Sequence, residues 1–238
     1  MQIEINIPAP CEKALEILER HGYEAYLVGG CVRDSILGRE PGDWDICTNA
    51  LPEEMIAAFS DYRLVLNGLK HGTVTVIIMH TAIEITTYRI DGEYEDNRHP
   101  KEVTFTSDLA LDLSRRDFTI NALAYNQGKG VVDCFGGLED LANGVIKAVG
   151  DPYKRFHEDG LRILRAVRFA CVLGFTYDER TKDAVRDCNY LLRNIATERI
   201  QVELNKILLS PNVRQGLEDM YQLGLYSYFL PEMCHTYG

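Results

Sequence analysis

Two aspartates one residue apart, Asp43 and Asp45, stand ten positions after Arg33, which itself follows a Gly29-Gly30 pair closing an apolar run. In an extended chain side chains alternate faces, so the two carboxylates point the same way and repel, while Trp44 and Ile46 turn toward a core. A divalent cation between the carboxylates removes that repulsion, and their hard oxygens suit Mg²⁺. Carboxylates beside a glycine turn are the apparatus of phosphoryl or nucleotidyl transfer. Glycines without Cβ let the backbone approach a phosphate, and the helix that follows offers free N–H groups. Arg33, one turn into that helix, adds positive charge. Glu84, alternating with Ile83 and Ile85, leaves the core side of its strand and is a third acid able to complete a metal site. Each feature alone has an ordinary reading: two solvated acids at a strand end, a tight βα turn, an exposed strand glutamate. GG-x-V-R-D followed by D-x-D is much rarer than either part.

The elements that must position these residues follow from periodicity. CEKALEILER has the period of an amphipathic helix stopped by Gly22; YEAYLVGG is a short strand running into the glycines; CVRDSILGR is a helix ending at Gly38. DWDICT is a strand and LPEEMIAAF a helix, while VTVIIM and AIEITTYR form a hairpin. DGEYEDNRHPKE is polar and aperiodic, hence a loop. RRDFTINALAY is expected to be a helix, followed by strand VVDCF, turn, short helix LEDLAN and strand VIKAVG. After Asp151-Pro152 every segment has helical period. The expected organisation is a mixed α/β domain over residues 1–150 followed by helices, residues 151–210 carrying a further polar motif and 211–238 beginning another helical part.

Composition excludes several classes. The formal net charge is −11, which argues against a surface coated for nucleic acid but leaves room for a local basic cluster. The seven cysteines are scattered, with no CxxC pair and no histidine at metal-finger spacing, as expected for free thiols of a reducing cytoplasm. The N-terminal stretch has no signal-peptide pattern, and the longest apolar run, VTVIIM, is too short to span a bilayer. A cytoplasmic location is expected.

In EDGLRILRAVRFA, a continuous helix would put Asp159, Arg162 and Arg165 on one polar flank, with Leu164, Val167 and Cys171 opposite, toward a core. The ordinary reading is an intrahelical salt bridge. The chemical reading is sharper: a carboxylate only accepts hydrogen bonds and a guanidinium only donates. Cytosine and adenine show an amino donor beside a ring-nitrogen acceptor; uracil and guanine show the reverse. An Asp–Arg pair therefore matches C and A and opposes U and G.

LVGGCVRDSILGREPGDWDICT resembles the first motif of the class II tRNA nucleotidyltransferases, the CCA-adding enzymes and bacterial poly(A) polymerases of the polymerase β-like superfamily. RRDFTINALAY resembles their second motif, VVDCFGGLEDLANGVIKAVGDP the third, EDGLRILRAVRFA the fourth and TERIQVELNKILLS the fifth, in family order. The resemblance implies a polymerase β-like α/β head with a mixed sheet, followed by an all-α neck and body. It implies Mg²⁺ held by Asp43 and Asp45, with Glu84 as a further catalytic acid. It implies that Gly30 and Arg33 meet the nucleotide phosphates, that Arg116 touches the nucleotide and that Asp117 lies near the ribose. By the same resemblance Asp159 and Arg162 select the base, and Arg165 and Arg168 extend a basic strip toward it. The implied activity is template-independent addition of CCA to tRNA 3′ ends from CTP and ATP. A poly(A) polymerase or an enzyme adding only A is the alternative, with the loop over 91–106 favouring full CCA addition. The family usually continues with helices of a body and tail that grip tRNA, so that grip is expected to lie largely outside this chain. A nucleotide-binding module without catalysis would be expected to lack one of the acids, and a metal-dependent phosphohydrolase would need His-Asp metal ligands that the sequence lacks.

Overall fold

A computed structural model describes residues 3–92 and 103–235. The described chain forms two compact units, one of residues 3–92, 103–116 and 120–138, the other of residues 117–119 and 139–235.

The first unit begins with helix α1 (Ala9–Arg20), entered through Pro8 in extended conformation. Cys11, Ala14, Leu15, Ile17 and Leu18 form its buried stripe, the i, i+3, i+4, i+7 pattern of a one-sided helix. Strand β1 (Ala25–Val28) is buried throughout and leads through Gly29 into α2 (Gly30–Ile36). Then come β2 (Asp45–Thr48), α3 (Pro52–Ala58), β3 (Arg63–Val65), β4 (Thr73–Ile78), β5 (Thr81–Thr87), β6 (Arg89–Asp91), β7 (Val103–Phe105), α4 (Leu109–Ser114), β8 (Leu123–Asn126) and β9 (Gly130–Asp133). Seven of these strands make one mixed sheet in the order β3-β4-β5-β2-β1-β8-β9. Only β2 and β5 run parallel; every other neighbouring pair is antiparallel. The β4–β5 hairpin turns through Met79 and His80, both left-handed at φ 49° and 65°, the twist a two-residue hairpin needs. Most of the expected 91–106 loop lies outside the described residues.

Three local expectations are corrected. Asp43 is not in the strand: β2 starts at Asp45, because the preceding Pro41-Gly42 interrupts any ladder and Asp43 has no registered partner. Trp44 is only half-buried and lines a cavity rather than entering the core. RRDFTINALAY is not a helix: α4 ends at Ser114, and the motif runs through an irregular stretch and a 3-10 turn at Thr119–Asn121 into β8. Residues 117–126 are all buried, Phe118, Ile120, Ala122, Leu123 and Ala124 fully, so burial along the stretch has no period of its own. A short apolar run of this kind fits either period, and here the partners of its polar residues decide.

The second unit contains the rest of α5 (Gly137–Asn143) and β10 (Val145–Ile146), α6 (Pro152–Glu158), α7 (Leu161–Leu173), β11 (Thr176–Tyr177), α8 (Glu179–Asp187), α9 (Thr197–Leu208) and α10 (Val213–Gln222). It is helical apart from the parallel β10–β11 pair. Its core is α7, whose Ile163, Leu164, Ala166, Val167, Ala170 and Cys171 are fully enclosed as α9 and α10 pack on it. The α10 crossing is close: a Cβ on Gly216 would stand 2.7 Å from Ile207 Cγ2 and 3.3 Å from Cys171 Sγ. All seven cysteines are free. No helix among the described residues is long and apolar enough to cross a membrane.

Candidate active site

In the first unit the glycine turn is specific in its geometry. Gly29 has φ 82° and ψ −130°, a region that residues with a Cβ avoid. A Cβ there would also stand 3.0 Å from Nη1 of Arg116, so the second-motif arginine lies directly against the first-motif turn. Its Nη2 lies 3.4 Å from Asp112 Oδ2, and its Nε is buried and donates to no group among the described residues. Arg33, by contrast, is spent inside the unit: Nη1 donates to Asn121 Oδ1 at 2.5 Å, and Nε and Nη2 donate to Asp34 at 2.9 and 2.8 Å. Its guanidinium is buried with these partners, tying α2 to the segment before β8. Asn121, absent from the sequence reading, is what makes the polar half of RRDFTIN a packed stretch.

The acids gather around a cavity of about 810 Å³ lined by Asp43, Trp44, Asp45, Thr75, Glu84 and Cys11 among others. Parallel register sets Asp45 level with Glu84 on the neighbouring strand. Asp45 is exposed at the cavity, yet its carboxyl is pushed above the usual carboxylate range. The crowding of protein around it is the main cause; Arg116 pulls the other way, and the charges of Glu84 and Asp43 add to the rise. The donor set fits a hard cation. Its oxygens are carboxylate and hydroxyl, and the thiol of Cys11 is pushed up by burial to about 11, so it stays neutral and does not compete as a soft ligand. The expectation that Glu84 completes a three-acid cage is not met as the side chains stand: no three His, Cys, Asp or Glu residues among those described are gathered to hold a metal. Asp43 and Asp45 both line the cavity and are the carboxylates that would hold a hard cation there.

In the second unit the expected Asp159–Arg162 face is corrected. The helix breaks at Asp159, which is extended at φ −143° and ψ 105°, and α7 starts two residues later. Asp159 accepts the Leu161 N–H at 3.1 Å, a helix-capping contact, and the next residue is a glycine whose Cβ would stand 3.1 Å from Leu191 Cβ. A continuous helix is thereby excluded. The guanidinium gripping Asp159 is that of Arg199 on α9, two-handed at 2.8 and 3.2 Å. Arg162 reaches back to Glu158 at 2.7 Å and to the Arg155 carbonyl at 3.1 Å. Leu164, Val167 and Cys171 are buried as expected.

Arg165 and Arg168 do not form an open basic strip. Arg165 donates twice to Asp117 Oδ2, at 2.8 and 2.5 Å, and Arg168 Nε lies 2.6 Å from Oε2 of the buried Glu203. Burial works against the charge of Arg165, but Asp117, Glu203 and Asp159 outweigh it and hold its pKa above the ordinary value. Phe169 lies under both guanidinium groups, 4.0 Å from Arg168 and 5.3 Å from Arg165. Asp117 also accepts the Phe118 N–H at 2.8 Å. Sequence reasoning missed Asp112, Asn121, Arg199 and Glu203. Asp112 was legible in principle, at i−3 and i−4 from Arg115 and Arg116; Arg199, 40 residues from Asp159, carries no local signal.

Comparison with known proteins identifies the family and the fold. Residues 25–147 match the poly A polymerase head domain, and residues 174–236 match the probable RNA and SrmB-binding site of polymerase A. The CCA-adding enzyme of Limosilactobacillus reuteri is 50% identical over 219 residues, covering 92% of this chain and 54% of that protein. That of Anoxybacillus flavithermus is 49% identical over 220 residues, covering 92% and 55%. The crystal structure of the Bacillus stearothermophilus CCA-adding enzyme in complex with CTP superposes with TM-score 0.85 at 40% identity, covering 94% of this chain and 54% of that one. The Thermotoga maritima CCA-adding enzyme complexed with tRNA-CCA superposes with TM-score 0.80 at 28% identity, covering 96% and 54%. The chain thus spans about half the length of the curated relatives it matches. It carries a polymerase β-like α/β head followed by helices, and it belongs to the poly A polymerase head-domain family, the class II tRNA nucleotidyltransferases.

Proposed function

We propose that this chain carries the catalytic and base-selecting part of an enzyme that adds CCA to tRNA 3′ ends from CTP and ATP. One observation carries the reading: within one unit, an arginine whose Nε finds no acceptor among the described residues lies against a turn only glycine can make, and its charge acts on one of three carboxylates that line one cavity. A triphosphate with its divalent cation brings the missing charge of both signs. The complexes of the two relatives with CTP and with tRNA support these substrates.

Asp43 and Asp45 would hold Mg²⁺, which supplies charge neutralisation at the primer 3′-hydroxyl and at the leaving pyrophosphate. Glu84, level with Asp45, adds negative field on the same wall. Arg116 orients the triphosphate with the guanidinium that lies against Gly29, while Gly29 and Gly30 let the backbone come close. Arg33 supports this turn from within. Asp117, fixed by Arg165, serves the ribose, and Arg168 with Glu203 keeps that support rigid. Asp159 accepts from the exocyclic amino group of C or A, and Arg162 donates to the neighbouring ring nitrogen. With UTP or GTP donors would meet donors, and each mispaired polar group in such a site costs on the order of 1–3 kcal/mol.

The test is incubation of the full-length protein that carries this chain with tRNA lacking its 3′ end, giving each triphosphate singly and CTP with ATP, and sequencing the product ends. CC from CTP alone and CCA from both are expected, with nothing from UTP or GTP. Single A or long A tails would replace this reading by an A-adding enzyme or a poly(A) polymerase.

A further inference from the structure

We propose that Asp112 is the positioning residue for Arg116: its buried carboxylate absorbs Arg115 and thereby aims a second, unspent guanidinium at the Gly29–Gly30 turn. The inference rests on the reading of that turn as the triphosphate site. Asp112 sits on α4 with no exposed side-chain surface. Its Oδ1 accepts Nε and Nη2 of Arg115 at 3.0 and 2.9 Å and the backbone N–H of Arg89 at 3.2 Å. Its Oδ2 meets Arg116 Nη2 at 3.4 Å and no other guanidinium among the described residues. One carboxylate therefore serves two guanidinium groups, and the division is unequal. Arg115 takes the two-handed contact. Arg116 is held by one corner, which fixes where it lies without using up its donors.

What is left over points one way. Arg116 keeps a buried Nε with no partner among the described residues, and its Nη1 lies against Gly29. Unmade hydrogen bonds of a buried charged donor are costly. With no Cβ at Gly29 the backbone lies close to the Arg116 guanidinium, so an anionic oxygen brought to the turn would meet its charge. The order of the two arginines then has a meaning: the first, at i+3, anchors; the second, at i+4, binds.

The test is a cycle of Asp112→Asn, Arg116→Ala and the double variant, read in two ways. The first is the Arg116 Nε–Hε resonance of the ligand-free protein by NMR, which reports the pose without substrate. The second is the affinity for CTP with Mg²⁺. Asp112→Asn is expected to shift and broaden that resonance and weaken CTP binding about tenfold, and to add nothing in the Arg116→Ala background. Full additivity in the double variant, or an unshifted resonance, would overturn the assignment, because a merely structural carboxylate would weaken both backgrounds alike. If Asp112→Asn does not fold, Asp112→Glu keeps the charge while moving Arg116 by a methylene, and the same shift and loss are expected. If the wild type takes up no CTP at all, the triphosphate reading fails, and the resonance still decides whether Asp112 holds Arg116.

Discussion

In the first unit Asp43, Asp45 and Glu84 crowd one cavity, with Arg116 as the opposing charge. In the second, Asp159, Asp117 and Glu203 each meet a guanidinium within 2.8 Å, from Arg199, Arg165 and Arg168. The first arrangement is electrostatically incomplete and the second is closed. Incomplete charge raises the energy of the free protein and is recovered only on binding ions of the right sign, which suits a site for metal and triphosphate. Closed pairs instead fix directions, which suits the reading of a base edge, where an acceptor out of place by an ångström loses its selectivity.

The contrast can be broken at its strongest point first. Asp43→Asn or Asp45→Asn should reduce nucleotide addition by roughly three orders of magnitude or more while the circular dichroism spectrum is unchanged, since an amide oxygen cannot replace a charged metal ligand. Near-normal turnover in Mg²⁺ for either variant would remove the metal assignment.

The closed unit should respond differently, in choice rather than in rate. Asp159→Ala should raise UTP and GTP incorporation relative to CTP and ATP by roughly ten- to a hundredfold, with little change in triphosphate affinity, as expected for the loss of one or two base-edge hydrogen bonds. Arg199→Ala, which leaves Asp159 in place but unheld, should produce a smaller loss of selectivity in the same direction. Competition assays with paired triphosphates measure both. Unaltered discrimination in Asp159→Ala would reduce the pair to a structural ion pair.

The smallest expected effect concerns pH. Burial tends to raise the Asp112 carboxyl, but Arg115 and Arg116 outweigh it and hold it below the usual carboxylate range. A depressed folded value stabilises the fold above the unfolded value, near 3.9, and that stability is lost as pH falls through the folded value. The wild type should therefore be more stable than Asp112→Asn at neutral pH, and the gap should narrow on acidification. Urea titrations at a series of pH values would show it; a gap independent of pH would mean that the arginines do not hold the charged form.

The legible parts of this molecule were those governed by local alternation. Alternation places Asp45 and Glu84 off the core side of two short strands, and flanking periods place the glycine turn; the level register of the two acids comes from the parallel β2–β5 pairing, which no local period carries. Helical period over FHEDGLRILRAVRF hid the break at Asp159, because an aspartate before an N-cap glycine differs from a helix interior only in what it touches, and Leu191 and Arg199 lie far along the chain. RRDFTINALAY read as a helix because its apolar residues fit either period. The bonds that settle it, Arg33 to Asn121 and Thr119 to Asp140, join residues 88 and 21 positions apart.

The most direct measurement is a calorimetric titration of the protein with CTP, with and without Mg²⁺, beside the same titration of Asp45→Asn. If the first unit is completed by an anion and a cation together, CTP should bind at least about tenfold more tightly with Mg²⁺, and Asp45→Asn should abolish that difference. Binding of equal strength with and without Mg²⁺, or a metal dependence that survives in Asp45→Asn, would contradict the account.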